Sequence, residues 1–411
     1  MVRRRHVYHM AGYDPIDPGA QHRRFARQLD VFQRTWNVET SVSELAQDSE
    51  QSRAWWTVRA RGPNWQVETV HEILLWDDIV RADFRRPLPV RLFVAVRAYL
   101  DFIITGTMFR YIVANQRYAI FFLFPILSVV LFAAVGWFFA RLLTGFLGLD
   151  GFAAAALGVP TGLVLFLVLM RWPGRRWRVE QLLDDWICAH DYIHGSRPDI
   201  DARLDHFAQT LLARAREEGL DEIVLVGHSL GAMLVLDVIV RALARDASFA
   251  RRGAAVSVLT IGATIPKFAL HPRAQGIRAR IARIVAEPSI AWTEYQSRAD
   301  TISFYKFDPV SLRRIDDDRL DGKPVIRRVQ IHDMLLPETF ERCRTHVLRL
   351  HYRSVMANDR RAPYDYFLMA CGPVSFADWT TSPLGFLDFL AADGTYRDGA
   401  QPRVVVAQQS L

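Results

Sequence analysis

The sequence predicts an α/β fold: a mostly parallel sheet with helices on both faces, interrupted by a two-helix transmembrane hairpin. Three observations carry this expectation. Strand and helix periodicities alternate along the chain, a strand passes through a glycine-flanked turn straight into a helix near residue 229, and charge vanishes twice between residues 118 and 170. At 411 residues the chain is long enough to bury a large core in one domain or two.

The elements follow in chain order. His6 to Tyr13 reads as a strand, and Gln21 to Trp36 as a helix carrying Phe25, Leu29 and Phe32 on one face. The stretch WWTVRARGPNWQVETVHEILLW reads as two strands around a Gly62-Pro63-Asn64 turn. Leu92, Val96, Tyr99, Ile103, Thr107 and Tyr111 share a helical stripe, so residues 88–117 suit either an interfacial helix or one packed on the globular domain. These elements make residues 1–117 the N-terminal part of the main domain.

Residues 118–171 form the hairpin. No charged residue occurs in YAIFFLFPILSVVLFAAVGWFFA (118–140) or in GFAAAALGVPTGLVLFLVLM (151–170). A bilayer core needs roughly 20 apolar residues as helix, and both spans meet that. Pro125 and Pro160 are tolerated there because neighbouring helices re-satisfy the freed backbone groups. The connector Arg141 to Asp150 carries Arg141 as its single cation, whereas Arg110 and Arg117 precede the hairpin and Arg171, Arg175, Arg176 and Arg178 follow it. Positive charge favours the cytoplasmic side, so both flanks, and with them the main domain, are expected there.

Residues 172–411 complete the main domain. Asp199 is a candidate N-cap for a helix with Ile200, Leu204, Phe207, Leu211 and Ala215 at helical spacing, stopped by Gly219. Strand Ile223 to Val226 and a helix from Leu230 to Arg245 come next. Strands over 256–261, 290–296 and 325–331, and helices over 273–285 and from Pro337, continue the alternation that marks a parallel sheet. The polar tail after Asp393 is expected to be loosely held.

Composition narrows the function. The net charge of +7 comes almost wholly from arginine, Lys267, Lys306 and Lys323 being the lysines. No dense basic run with interleaved aromatics suggests nucleic acid, so an anionic membrane surface is the better partner. Cys188, Cys343 and Cys371 lie far apart, without metal-ligand spacing or a disulfide framework, which suits a reducing compartment. The start, MVRRRHVYHMAG, has no apolar run after its basic residues, so no cleavable signal peptide is expected.

The chemistry points to EIVLVGHSLGAMLVLDVIV, residues 222–240. A strand that turns sharply into a helix puts the central residue at an exposed apex, here Ser229, with Gly227 and Gly231 permitting the bend. The N–H of Leu230, at the helix start, can face a developing oxyanion. Here the chain resembles lipase- and esterase-like members of the α/β-hydrolase superfamily, whose elbow commonly reads G-H-S-x-G. The resemblance implies an α/β-hydrolase-type sheet, a triad in the order serine, acid, histidine, and a second oxyanion donor after an early strand. Ala11-Gly12-Tyr13 stands at that place, so Gly12 matches and the donor carried over by position is the Tyr13 N–H. The histidine that often precedes this glycine is absent, and an ordinary turn over Gly12 to Pro15 also fits.

A serine hydroxyl needs a base, and the base needs a carboxylate to fix its tautomer. Asp300 comes soonest after a late strand; Asp308, in an Asp-Pro turn, is the alternative. The histidines after the acid are His332, His346 and His351, and His351-Tyr352 best fits the family's pairing of histidine with an aromatic. The expected protein is a membrane-anchored serine hydrolase cleaving carboxylic esters, lipid or acyl-lipid, through an acyl-enzyme on Ser229. An acyltransferase using the same triad and a catalytically silent membrane scaffold are the alternatives. Neither metal nor other cofactor is implied.

Overall fold

Residues 1–397 are described by a computed structural model, in which the chain divides into two compact units. Unit 1 comprises Met1–Asp78, Pro198–Ala269 and the chain from Gln275 onward; unit 2 comprises Ile79–Arg197 with Leu270–Ala274. The inserted unit is therefore wider than the apolar hairpin alone.

Unit 1 begins with β1 (Arg4–Met10), α1 (Pro18–Trp36), β2 (Glu39–Val42), β3 (Ala46–Asp48), β4 (Arg53–Gly62) and β5 (Trp65–Leu74). The β4–β5 hairpin closes on Gly62 opposite Trp65, as the Gly-Pro-Asn turn predicts. The predicted first strand stops three residues early, and Ala11 to Tyr13 leave the sheet as a loop. The short antiparallel strands β2 and β3 were not legible, because neither offers a sustained period-2 pattern.

Unit 2 contains α2 (Asp77–Phe84, starting in unit 1), α3 (Leu88–Ile104), α4 (Thr107–Ala114), α5 (Gln116–Phe146), α6 (Gly151–Leu169, extended by a π-turn to Gly174) and α7 (Val179–Ile193). Both α5 and α6 are long and apolar enough to cross a membrane, with mean hydropathies of 2.6 and 2.3. At 1.5 Å per residue α5 is about 46 Å long, more than a bilayer's hydrocarbon core of about 30 Å. Gly136, Ala140 and Thr144 of α5 meet Gly158 and Gly162 of α6, and a Cβ on Gly136 would lie 2.6 Å from the Gly162 carbonyl oxygen. Small residues thus let the two backbones touch, the usual basis of helix association in lipid. Outward-facing Trp137, Phe138, Phe146 and Phe152 are exposed, and no residue of α6 is buried. Apolar exposure on this scale is unfavourable in water and expected in lipid.

Two expectations for this unit need correction. The connector is only residues 147–150, because α5 runs through Arg141 to Phe146; nothing in Leu142 to Phe146 breaks a helix, and a lone arginine can reach toward headgroups. The stripe over 92–111 is not one helix face. The chain bends by 69° between α3 and α4, and Val96 and Ile103 are exposed while Arg91, Ala95, Ala98, Tyr99 and Phe102 are buried. Arg91 is inside because Asp184 accepts its Nε–H at 2.9 Å and the Phe84 carbonyl accepts at 3.0 Å.

Unit 1 resumes with α8 (Pro198–Arg214), β6 (Glu222–His228), α9 (Gly231–Arg245), β7 (Ala255–Ile261), α10 (Ile265–Ala269), α11 (Gln275–Val285) and β8 (Ile290–Ser297). It continues with β9 (Phe307–Asp308), β10 (Arg313–Arg314), β11 (Val325–Val329), α12 (Ile331–Met334), α13 (Pro337–Cys343) and α14 (Val347–Arg353), then α15 (Tyr366–Cys371) and α16 (Phe376–Thr381). Helix α8 starts at Pro198, whose fixed φ suits the first helical position, so Asp199 lies in the first turn rather than at the cap. The strand expected over 325–331 ends at Val329, and Ile331 opens a helical turn.

The main sheet has the order β11-β8-β7-β6-β1-β5-β4-β2, with β3 on β4. Neighbours from β5 through β1, β6, β7 and β8 to β11 run parallel; β4 is antiparallel to β5 and β2 to β4. Every residue of β6 is buried, which explains the apolar run Ile223 to Val226 within it. Helix α1 covers one face through Phe25, Leu29, Phe32 and Trp36, packing on Trp56 and Phe367. All three cysteines are free and buried. The first residues of the tail are tied down: Gly394 O accepts the Trp65 indole N–H at 2.8 Å, and Tyr396 N–H reaches Asn64. The remainder of the predicted loose tail lies outside the described residues.

Candidate active site

Ser229 directly follows β6, at the C-terminal end of the parallel strands, where open α/β sheets present their crevice. Its φ is +59°, in the left-handed region that costs a non-glycine residue about 1–2 kcal/mol. The neighbourhood holds that conformation. Ser229 N–H donates to Ile261 O at 3.2 Å, and Ser229 O accepts from Thr264 N at 3.3 Å and Ala232 N at 3.2 Å. A Cβ on Gly227 would meet Ala232 Cα at 2.5 Å, and one on Gly231 would meet Met10 O at 2.3 Å. The flanking glycines therefore answer to close approach: α9 crosses β6 and the end of β1 too tightly for any side chain.

The early loop lies against the serine. A Cβ on Gly12 would be 2.7 Å from Ser229 Cβ and 3.1 Å from its Oγ, so the backbone of the loop touches the side chain. Gly12 O accepts Asp14 N–H at 2.8 Å, turning the chain at Tyr13, and Trp76 Nε1–H donates to Ala11 O at 3.1 Å. Leu230 stands at the N-terminus of α9.

Asp300 lies in the loop after β8 and His351 in α14. The His351 Nδ1–H donates to Asp300 Oδ2 at 2.7 Å, while Asp300 Oδ1 accepts the Ile302 N–H at 3.0 Å. Both side chains are buried. Burial alone would raise the Asp300 carboxyl; the adjoining His351, its hydrogen bond and the Ile302 N–H together hold it below the usual value. With Nδ1 engaged, His351 Nε2 is buried and has no hydrogen-bond partner among the described residues. An imidazole nitrogen left in this state is suited to meet a proton donor that arrives.

The pair adjoins the serine through Gly262, the residue after β7. A Cβ there would be 3.1 Å from His351 Cε1 and 3.2 Å from Asp300 Oδ2, and Ser229 bonds the preceding residue, Ile261. The ends of β6, β7 and β8 place Ser229, Gly262 and Asp300 at one edge of the sheet, and α14 brings His351 to Asp300 there.

The alternative residues lie elsewhere. Asp308 caps its own turn through Val310 N–H and binds Arg319 at 2.6 Å. His332 is exposed beside Asp333, and His346 is exposed at the cap of α14. The helix expected from Pro337 is two short helices, α13 and α14, with His346 at the break.

Two positioning contacts could not be read from sequence. His228 donates Nε2–H to the His351 carbonyl at 3.1 Å, fixing α14 against the elbow; burial pushes its pKa down to about 3, keeping it neutral. Tyr352 donates its hydroxyl to Asp14 at 2.6 Å, linking α14 to the Gly12 loop. Both join residues far apart in the chain, so no local pattern signals them.

Compared with models of known protein families, with curated proteins and with solved structures, the chain gives no match.

Proposed function

We propose that this protein is a serine hydrolase. The observation that carries the reading is Ser229 at φ +59° on a strand-to-helix turn, with a buried Asp300–His351 pair across Gly262 whose outer nitrogen has no partner among the described residues. More particularly, it is a membrane-anchored esterase of the α/β-hydrolase type that acts on lipid or acyl-lipid esters. The chain order serine, acid, histidine, with Ser229 directly after β6 and Asp300 in the loop after β8, supports the fold type. The hairpin keeps the chain at a bilayer, where lipid esters are the concentrated substrates. The arginine-rich flanks favour a cytoplasmic main domain.

In the reaction Ser229 Oγ attacks the ester carbonyl carbon while His351 Nε2 takes its proton. Asp300 holds the Nδ1–H tautomer and stabilises the imidazolium. The N–H groups of Leu230 and Tyr13 receive the oxyanion, and Gly12 leaves the space for it. His351 returns the proton to the leaving alcohol, and an acyl-enzyme remains. Water, deprotonated by His351, releases the acid and restores the serine.

A fluorophosphonate probe tests this on the full-length protein in detergent. Labelling that vanishes in Ser229→Ala and falls sharply in His351→Ala is expected. An unlabelled wild-type protein would leave a silent scaffold. Products formed with and without added lipid alcohols separate hydrolysis from acyl transfer, and a reporter inserted at residues 147–150 tests the orientation.

A further inference from the structure

Unit 2 contains a second cluster that the esterase chemistry does not use. His190 and His194 lie one helical turn apart at the end of α7, their rings 4.3 Å apart. Asp101 projects from α3, and its Oδ2 lies 3.6 Å from His190 Nε2 and 3.6 Å from His194 Nε2. The donor atoms of all three lie within 4.8 Å of one another.

The contacts behind the rings orient the donors. His190 Nδ1 is 2.9 Å from Asp191 Oδ1, and His194 Nδ1 is 2.8 Å from the His190 carbonyl oxygen. Each Nδ1 is thus engaged by an oxygen acceptor, and in the neutral imidazole this leaves the Nε2 lone pair facing the Asp101 carboxylate. Two imidazole nitrogens and one carboxylate oxygen converging in this way form a set of donors that a cation can share. His271 supports the carboxylate from outside: its Nδ1 accepts Arg273 N–H at 3.2 Å, so its Nε2–H donates to Asp101 Oδ2 at 2.9 Å. Phe102 walls the cluster edge-on against His190 and His271.

We propose that Asp101, His190 and His194 bind a divalent first-row transition metal of the zinc class, clamping α3 to α7. With metal–nitrogen and metal–oxygen bonds of about 2.0–2.2 Å, tetrahedral ligand atoms stand about 3.4 Å apart, so the two Asp101–imidazole separations of 3.6 Å need to close by about 0.2 Å. Two imidazoles among three donors exclude calcium and magnesium as preferred occupants. The Asp191 carboxylate and the His190 carbonyl behind the imidazoles, with His271 behind Asp101, are the outer partners that fix ligand orientation in such sites. Three protein ligands leave a coordination position for water. The clamp joins the helices before and after the membrane hairpin, and metal binding there stabilises unit 2 by mass action.

The test uses the full-length protein in detergent, stripped with a chelator and titrated with Co2+, then Zn2+. One Co2+ per chain, with visible d–d bands displaced by Zn2+, is expected. Asp101→Asn and His194→Ala should weaken binding at least a hundredfold, and His271→Asn about ten- to a hundredfold. His206→Ala, a distant histidine on α8, should bind as wild type. X-ray absorption at the zinc edge of the wild type should read two imidazoles and a carboxylate, which needs no variant to fold. Absence of stoichiometric binding, a different donor set, or unchanged affinity in His194→Ala would overturn the assignment. Fluorophosphonate labelling of Ser229 is a separate readout, so either proposal can fail alone.

Discussion

Asp300→Asn is the most informative change at the candidate triad. The wild-type carboxylate accepts the His351 Nδ1–H at 2.7 Å with both groups buried, a charge-assisted bond that fixes which nitrogen carries the proton. Asparagine keeps the volume, and its carbonyl oxygen can still accept the Ile302 N–H now held by Oδ1. Its NH2 group then faces His351 and requires an acceptor there, so the imidazole turns over to the Nε2–H tautomer. That tautomer cannot take the Ser229 proton. A loss of about 10³–10⁴-fold in kcat follows, equal to about 4–5 kcal/mol of barrier, with KM little changed.

The same change alters the pH dependence of stability. The Asp300 carboxyl is held below its unfolded value, so ionisation stabilises the fold above an unfolded pKa of about 3.9. That contribution is lost as pH falls through the lower folded value. The variant lacks this component, and its acid unfolding should be correspondingly less steep. Hydrolysis of a p-nitrophenyl ester, with circular dichroism to confirm folding, measures both effects. A folded Asp300→Asn protein within tenfold of wild-type kcat would refute the reasoning.

Three further outcomes are expected. Ser229→Gly abolishes probe labelling yet stabilises the fold by about 1 kcal/mol in thermal unfolding, because glycine accepts φ +59° without strain; a destabilised variant would contradict the strained turn. Gly231→Ala forces a Cβ to 2.3 Å from Met10 O and should cost about 3 kcal/mol, readable as a lower denaturation midpoint, with labelling lost in parallel. Burial pushes the Glu294 carboxyl up to about 7, so the wild type should lose about 3 kcal/mol as pH rises from about 4.5 to 7, and Glu294→Gln should flatten that slope.

Much of the molecule was legible because its signals are local. Apolar runs without charge mark α5 and α6 whatever surrounds them, since lipid accepts nothing else over that length. The elbow is a short-range motif for the same reason: strand, turn and helix are contiguous, and the glycines are dictated by a crossing only a few residues wide. The bend between α3 and α4 failed that test. Its stripe looked continuous, but Arg91 is drawn inside by Asp184, a residue 93 positions away.

The order of elements, the two apolar helices and the turn at Ser229 belong to the sequence alone, because each follows from side-chain period or from local sterics. That Asp300 rather than Asp308, and His351 rather than His332 or His346, form a pair belongs to the tertiary structure. Those residues share composition and approximate place, and only the pairing of β8 with β7 and the docking of α14 through His228 decide which two side chains meet. The cluster of Asp101, His190 and His194 is likewise a product of packing. One pair is a helical repeat visible in the chain, but the carboxylate that gives it a charge to share arrives from 89 residues away on another helix.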